Sequence, residues 1–232
     1  QYGADLRSVE GTYDEAYERS LEYTAAGKAM SRNTGYNPLT IEGKKTVSFE
    51  IVDQLGAVSR GQDGTAHSGP DHVFVPVGDG VILAGVYRGF ENLLRLGRIA
   101  RMPTVWACQA EGSSAIVRAL RSGGFTSPQR SQTVADSISV DVPRNGVHAL
   151  SKLIAHEGRG VTVSDEEILL AQHHLSSRTG LFAEPSSSAA FASFLKMRGE
   201  INPESRVVLL ITGSGLKDIE AAAHGLKERQ HD

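Results

Sequence analysis

Cysteine is nearly missing from this chain: Cys108 stands alone among 232 residues. One thiol cannot close an internal bridge, so no disulfide framework holds the fold, and the usage suits a reducing compartment, with the cytoplasm as the expected location. No run approaches the roughly 18 consecutive apolar residues of a membrane span, and no signal-peptide pattern opens the sequence. Lys/Arg-rich arms are missing too, and the net charge is only −3, so neither nucleic acid nor a membrane is an expected partner. The eight histidines are scattered without H-x-x-x-H spacing, and no C-x-x-C exists, so no metal site is expected. Internal repeats and low-complexity tracts are also lacking.

What is present is alternation. Strand-like segments at residues 5–9, 73–77, 104–108, 160–163 and 206–211 are interleaved with helical patterns at 13–26, 41–55, 82–96, 114–120, 147–156, 164–178, 187–197 and 216–227. That order predicts an α/β fold with a largely parallel sheet. The length allows one large domain, or a large domain with a fragment of another. Ser164 followed by Glu167 reads as a capping box, and Asp165, Glu166 and Glu167 suit the positive end of the helix that follows. Residues 62–70, rich in Gly, Ser, Asp and His, read as a mobile surface loop.

Two strand ends carry the chemistry. The apolar run from His72 to Val77 ends in Gly78-Asp79-Gly80 and continues as Val81-Ile82, and the run from Val207 to Ile211 ends in Thr212-Gly213-Ser214-Gly215. Each reads as a buried strand that stops at a glycine turn and opens a helix. N–H groups at such a turn, with the helix N-terminus, form an anion cradle, and glycine lets the backbone approach without a Cβ in the way. Two of them in one sheet point to a phosphate-bearing small molecule over the carboxyl ends of the strands. The plain alternative is a tight strand-to-helix turn. A dinucleotide site is disfavoured, because the fingerprint wants a glycine at position 83, which is Leu, and an acid about 20 residues on.

Thr212, at the tip of what reads as a central strand, has two readings. Its hydroxyl either hydrogen-bonds a ring nitrogen without protonating it or caps its own loop. Glu184, before Pro185 and three serines, is either part of an N-cap cluster or one wall of a ligand site. Ser214 and Lys217 match the S-x-x-K pattern of acyl-transfer serines, but the companion S-D-N and K-T-G motifs are lacking.

Taken in order, these segments resemble the fold-type-II pyridoxal-phosphate enzymes, and within them the threonine synthases. Gly11-Thr12-Tyr13-Asp14-Glu15-Ala16 is similar to the family's G-x-Y/F-D-x-A helix start, and Asn37-Pro38 with Ile41-Glu42-Gly43-Lys44-Lys45-Thr46 to its N-P-x-R-x-E-G-Q-K-T segment. Val75-Pro76-Val77-Gly78-Asp79-Gly80 is similar to its cofactor-phosphate loop. Gln109-Ala110-Glu111-Gly112, Phe182-Ala183-Glu184-Pro185-Ser186 and Thr212-Gly213-Ser214-Gly215-Leu216-Lys217-Asp218 complete the series.

The resemblance implies a three-layer α/β sandwich of the tryptophan synthase β type, with pyridoxal 5'-phosphate as cofactor. Residues 1–36 would be the C-terminal part of a small mobile domain and 37–232 the large cofactor-binding domain. The backbone at Gly78, Asp79, Gly80, Val81 and Ile82 would hold the cofactor phosphate, Thr212 the pyridine nitrogen, and Glu184 would lie near the ring. Asn37 would contribute to the substrate side. The implied reaction turns O-phosphohomoserine and water into threonine and phosphate, in a homodimer acting on a small amino-acid substrate. A paralogous β/γ-eliminase or replacement enzyme and a truncated, non-catalytic phosphate-ligand-binding homologue are the alternatives.

Two departures accompany the resemblance. None of Lys28, Lys44, Lys45, Lys152, Lys196, Lys217 or Lys227 occupies the family's Schiff-base motif, so no catalytic residue is assigned in this chain and that lysine is expected upstream of Gln1. Thr40 stands where the family has Arg, and Lys44 where it has Gln. Loss of a bidentate guanidinium weakens the case for a phosphorylated substrate.

Overall fold

The computed structural model describes residues 2–27, 29–59 and 69–228. The loop expected at 62–70 lies mostly outside these residues, as do Lys28 and His67. Helix α1 (Tyr13–Ala25) begins at a capping box in which Thr12 Oγ1 accepts the Glu15 N–H and the Glu15 carboxylate accepts the Thr12 N–H. The strand expected at 5–9 is not formed. No described strand lies beside it, and Leu6 is 87% exposed, so neither ladder bonds nor burial favour extension into a sheet.

One helix was expected at 41–55; the chain instead makes α2 (Leu39–Lys44) and α3 (Thr46–Ser59), with a break at Lys45. This segment packs closely against α4 (Val81–Arg95) at two of its glycines. A Cβ on Gly85 would lie 2.6 Å from Lys44 Cβ, and one on Gly89 would lie 2.4 Å from the Lys45 carbonyl oxygen and 2.6 Å from Ser48 Cβ. Lys45, between α2 and α3, keeps helical dihedrals, and Ser48 Oγ donates to the Val86 carbonyl at 2.8 Å inside that groove.

The remaining elements are β1 (His72–Pro76), β2 (Thr104–Ala110), α5 (Ala115–Ser122), α6 (Gly146–Ala155), β3 (Arg159–Val163), α7 (Asp165–Thr179), α8 (Pro185–Met197), β4 (Val207–Leu209) and α9 (Ile219–Glu228). The predicted capping box at Ser164 and Glu167 is present, and α7 stops at Gly180 in the left-handed conformation. Its acidic first turn faces the positive helix end, as the sequence implies.

All strand pairs among the described residues are parallel, in the order β3-β2-β1-β4. Alternate side chains serve different layers. Val73, Val75, Val77, Val105 and Ala107 pack with Leu83, Val86 and Phe90 of α4, whereas Phe74, Trp106 and Cys108 pack with Ile168 of α7 and Ala189 of α8. Both faces of the sheet are therefore covered, the three-layer arrangement expected. Phe74 stacks on Trp106 with centroids 4.9 Å apart, and each such buried side chain stabilises the fold by roughly 1.5–3 kcal/mol.

Candidate active site

From β1 the chain steps outward through β2 to β3, then returns to the other side of β1 as β4. The order reverses between β1 and β4, and the crevice outside their carboxyl ends is where such sheets bind ligands. Because the two strands are parallel neighbours, with Phe74 opposite Leu209, the turns that follow them lie side by side. They enclose a cavity of about 270 Å³ lined by Gly78, Asp79, Gly80, Val81, Ile82, Glu184 and Thr212. Seven residues separated by up to most of the chain thus meet in one place.

The turn after β1 is shaped by its two glycines. Gly80, at the N-cap of α4, has φ +85°, and a Cβ there would lie 2.6 Å from Ala149 Cβ. A Cβ on Gly78 would lie 3.0 Å from the backbone of Ile138. At Gly80 both the conformation and the space therefore exclude a side chain, whereas at Gly78 a Cβ would press on the Ile138 backbone. The turn's carbonyls are drawn away from the cavity: Asn145 N–H donates to the Asp79 carbonyl at 3.1 Å and Asn145 Nδ2 to the Gly80 carbonyl at 3.1 Å. The first-turn N–H groups of α4, which have no acceptor within their helix, are left to face a ligand. The Asp79 side chain is spent elsewhere, accepting the Arg144 N–H at 2.8 Å and the Tyr13 hydroxyl at 3.3 Å. Burial pushes its carboxyl above the ordinary aspartate range, and burial with the Asp79 charge pushes the Tyr13 phenol up to about 12.

The turn after β4 differs from the sequence reading in two respects. β4 is an edge strand among the described residues, not a central one, pairing only with β1. Its turn opens no α-helix: a short 3₁₀ turn (Gly215–Lys217) follows, and α9 starts only at Ile219. The glycines here serve a different approach. Segment 213–215 lies antiparallel against 182–184, with Glu184 N–H donating to the Gly213 carbonyl at 3.1 Å and Gly215 N–H to the Phe182 carbonyl at 2.8 Å. A Cβ on Gly213 would lie 2.1 Å from Glu184 Oε1, and one on Gly215 would lie 2.6 Å from the Phe182 ring. Only the first turn keeps the strand-to-helix form expected of an anion cradle; the second is a dock for the loop before α8.

That dock fixes the far end of the cavity. Thr212 Oγ1 lies 3.0 Å from Ser187 Oγ, which also accepts the Gly213 N–H at 2.6 Å. Glu184 occupies the N-cap position of α8 but makes no capping bond with its side chain. Its buried carboxylate accepts Lys217 Nζ at 3.0 Å and the Ser137 hydroxyl at 3.2 Å. Ser214 Oγ accepts the Leu216 N–H, which is local capping and not an acyl-transfer pairing with Lys217.

Two lysines set aside by motif stand in this cavity. Lys217 lines it beside Glu184, and Lys44 lines it from α2. Burial and the nearby Arg32 lower the Lys44 ammonium below its usual range, and among the described residues Lys44 forms no ion pair, whereas Lys45 and Arg88 share Glu42. Asn37 is not among the lining residues. Its Nδ2 donates to the Ser31 carbonyl at 3.0 Å and its Oδ1 accepts the Leu39 N–H at 3.0 Å, holding the start of α2. A second recess of about 410 Å³ adjoins the cavity at Thr34, Asp79 and Ser137 and reaches α1. Cys108 is buried, and burial pushes its thiol up to about 12, so it is no nucleophile at neutral pH. Among the described residues no cluster of His, Cys, Asp and Glu could hold a metal ion, and no helix is long and apolar enough to cross a membrane.

Residues 1–213 match the family described as pyridoxal-phosphate dependent enzyme, and the chain belongs to that family. Pyridoxal 5'-phosphate is the family's cofactor. The chain is 33% identical over 231 residues to threonine synthase of Methanocaldococcus jannaschii, covering 98% of this chain and 54% of that protein. It is 35% identical over 221 residues to threonine synthase of Methanosarcina acetivorans, covering 94% of this chain and 52% of that protein. It thus spans about half the length of the curated relatives it matches. The processed form of threonine deaminase isoform 2 from Solanum lycopersicum shares its fold, with a TM-score of 0.75 over 97% of this chain and 60% of that one at 21% identity. The architecture is that of the fold-type-II enzymes. The cavity suits the family's cofactor: the first-turn N–H groups of α4 at one end match a phosphate, and a neutral hydroxyl at the other matches a ring nitrogen.

Proposed function

We propose that this chain is the cofactor-binding body of a pyridoxal-phosphate-dependent lyase of the threonine-synthase type, converting O-phosphohomoserine and water to threonine and phosphate. The observation that carries this reading is the pairing, across one cavity at the β1/β4 reversal, of a glycine-built anion cradle with the Thr212 hydroxyl. The identity to threonine synthases over nearly the whole chain supports it.

When bound, the cofactor supplies an electron sink for charge that develops on the substrate. The N–H groups from Gly78 to Ile82 hold its phosphate, with Gly78 and Gly80 keeping the approach clear. Thr212 meets the ring nitrogen with a hydroxyl, which leaves that nitrogen unprotonated and moderates the sink. The buried Glu184 carboxylate, held by Lys217 and Ser137, forms a wall beside the ring. Substrate lies toward the adjoining recess, with Asn37 shaping α2 on that side and Lys44 placing a cation at the cavity. In this reading residues 1–36 belong to a small domain that closes over substrate and 37–232 form the large domain. In this reading none of the lysines in residues 1–232 is assigned to the cofactor's aldehyde, and the working protein is a cytoplasmic homodimer.

A second reading is favoured by one specific observation. Thr40 stands where the resemblance has Arg, while Lys44 enters the cavity one helical turn later. A paralogue acting on a different amino acid with a β or γ leaving group would tolerate that exchange. Turnover on O-phosphohomoserine, O-phosphoserine, serine and threonine separates the two: activity on any of the others without activity on the first overturns the threonine-synthase assignment. Borohydride reduction of the loaded protein followed by peptide mapping locates the lysine. A protein that takes up no cofactor and shows no reduced adduct would favour the non-catalytic alternative.

A further inference from the structure

Ser187 is fully buried in the first turn of α8, and its Oγ joins two groups of the turn after β4. It accepts the Gly213 N–H at 2.6 Å and lies 3.0 Å from Thr212 Oγ1. A hydroxyl has one proton to give and two lone pairs to fill. Gly213 occupies one of the lone pairs. Among the described residues Ser187 Oγ has no acceptor other than Thr212 Oγ1, and leaving the proton of so buried a hydroxyl unspent would carry a desolvation cost. Ser187 is therefore the donor and Thr212 the acceptor between them. The single proton of Thr212, a residue exposed at the cavity it lines, is then left for a partner other than Ser187.

We infer that Ser187 is a positioning residue: it fixes Thr212 as a hydrogen-bond donor toward the cavity, so that the atom facing Thr212 must be an unprotonated acceptor. The inference rests on the reading that the cofactor's ring nitrogen faces Thr212. The relay runs from the Gly213 N–H to Ser187 Oγ, from Ser187 Oγ–H to Thr212 Oγ1, and from Thr212 Oγ1–H to the ring nitrogen. A protonated nitrogen would need Thr212 to accept, stranding the threonine proton beneath the ring. Without Ser187, Thr212 is free to rotate and accept, and the nitrogen is free to take a proton.

The test loads the protein with pyridoxal 5'-phosphate labelled with nitrogen-15 in the ring and follows the ring-nitrogen chemical shift with pH. The unaltered protein is expected to hold the neutral nitrogen. Ser187→Ala should raise its protonated-to-neutral ratio roughly fivefold, the change that one net hydrogen bond implies. Ser187→Thr, which keeps the hydroxyl, should restore the original shift, a rescue that mere packing would not produce. Thr212→Val checks the underlying reading. If it leaves the shift unchanged, the ring nitrogen does not face Thr212 and the inference falls with that placement. If it moves the shift while Ser187→Ala does not, the placement stands and the role of Ser187 is overturned. Should Ser187→Ala fail to hold cofactor, Ser187→Cys, a weaker donor, should give an intermediate shift, and an unaltered shift there overturns the role equally.

Discussion

The Tyr13 hydroxyl lies 3.3 Å from a carboxylate oxygen of Asp79, so α1 is tied directly to the turn that follows β1. Arg144 completes the tie. Its N–H donates to the other Asp79 oxygen at 2.8 Å, and its guanidinium pairs with Asp14 at 2.6 Å and Glu18 at 3.0 Å while lying 4.5 Å over the Tyr17 ring. Removal of the Arg144 side chain, as in Arg144→Ala, should cost about 1–3 kcal/mol, since these are partly desolvated, charge-assisted bonds. Limited proteolysis should then cut faster within 2–27 while the sheet stays protected. Equal protection in both proteins would show that the tie contributes nothing.

Stability should depend on pH through two carboxylates of opposite sign. Burial raises the Asp79 carboxyl, so its contribution is fully present below the ordinary aspartate value, about 4, and declines as pH rises through the folded value. Burial also acts to raise Glu91, but the Lys152 ammonium at 2.6 Å and the His156 ring at 2.8 Å outweigh it and hold this carboxyl low. Its contribution is present above the ordinary glutamate value and is lost as pH falls through the folded one. Asp79→Asn should therefore flatten the decline on the rising side, and Glu91→Gln the loss on the acid side. Urea melts from acid to neutral pH read both, and unaltered slopes in either variant would refute its assignment.

Gly80 carries two separable constraints. Gly80→Ala should destabilise by about 1–2 kcal/mol from the left-handed backbone alone, with a further cost from contact with Ala149. The pair Gly80→Ala with Ala149→Gly should recover only the contact part. Thermal melts together with pyridoxal-phosphate titration check this, and full recovery would mean that the backbone conformation costs nothing.

Lys44 should matter to anion binding rather than to folding. Lys44→Gln is expected to weaken binding of inorganic phosphate about two- to fivefold, as a partly exposed ion pair would, and Lys44→Arg to retain it. Calorimetric titration measures the effect. A loss of thermal stability in place of affinity would assign Lys44 to packing on α4 instead.

Elements with complete local signals were legible in the sequence. Ser164 and Glu167 make their capping box because both partners of the bond sit within one turn. β1, its glycine turn and α4 likewise fall where the apolar run and Gly78-Asp79-Gly80 place them. What was not legible depends on partners distant in sequence. The close contacts of Lys44, Lys45 and Ser48 are made to Gly85 and Gly89 on another helix, and the strand pattern at 5–9 has no described neighbour to pair with. The glycines after β4 looked like a second anion cradle, yet they answer to Phe182 and Glu184. Ser187 was passed over as one serine in a run, although a hydroxyl that α8 buries in its first turn must find a partner somewhere. Lys44 reaches the cavity from the side of α2 that meets α4, a face that no local motif marks.

The short strand β4 meets β1 across a long loop of chain: the neighbouring bond from Arg206 N–H to Asp71 spans 135 residues. Thr212, Gly213 and Lys217 follow that edge strand, while the Gly78-Asp79-Gly80 turn follows the interior strand β1. The Thr212 and Lys217 side of the cavity thus depends on the most distant pairing in the sheet. Ligand that spans both turns draws on the free energy of that closure, so it should act as a clamp on the β1/β4 seam. Occupancy of the site then becomes a gauge of whether the chain has finished folding.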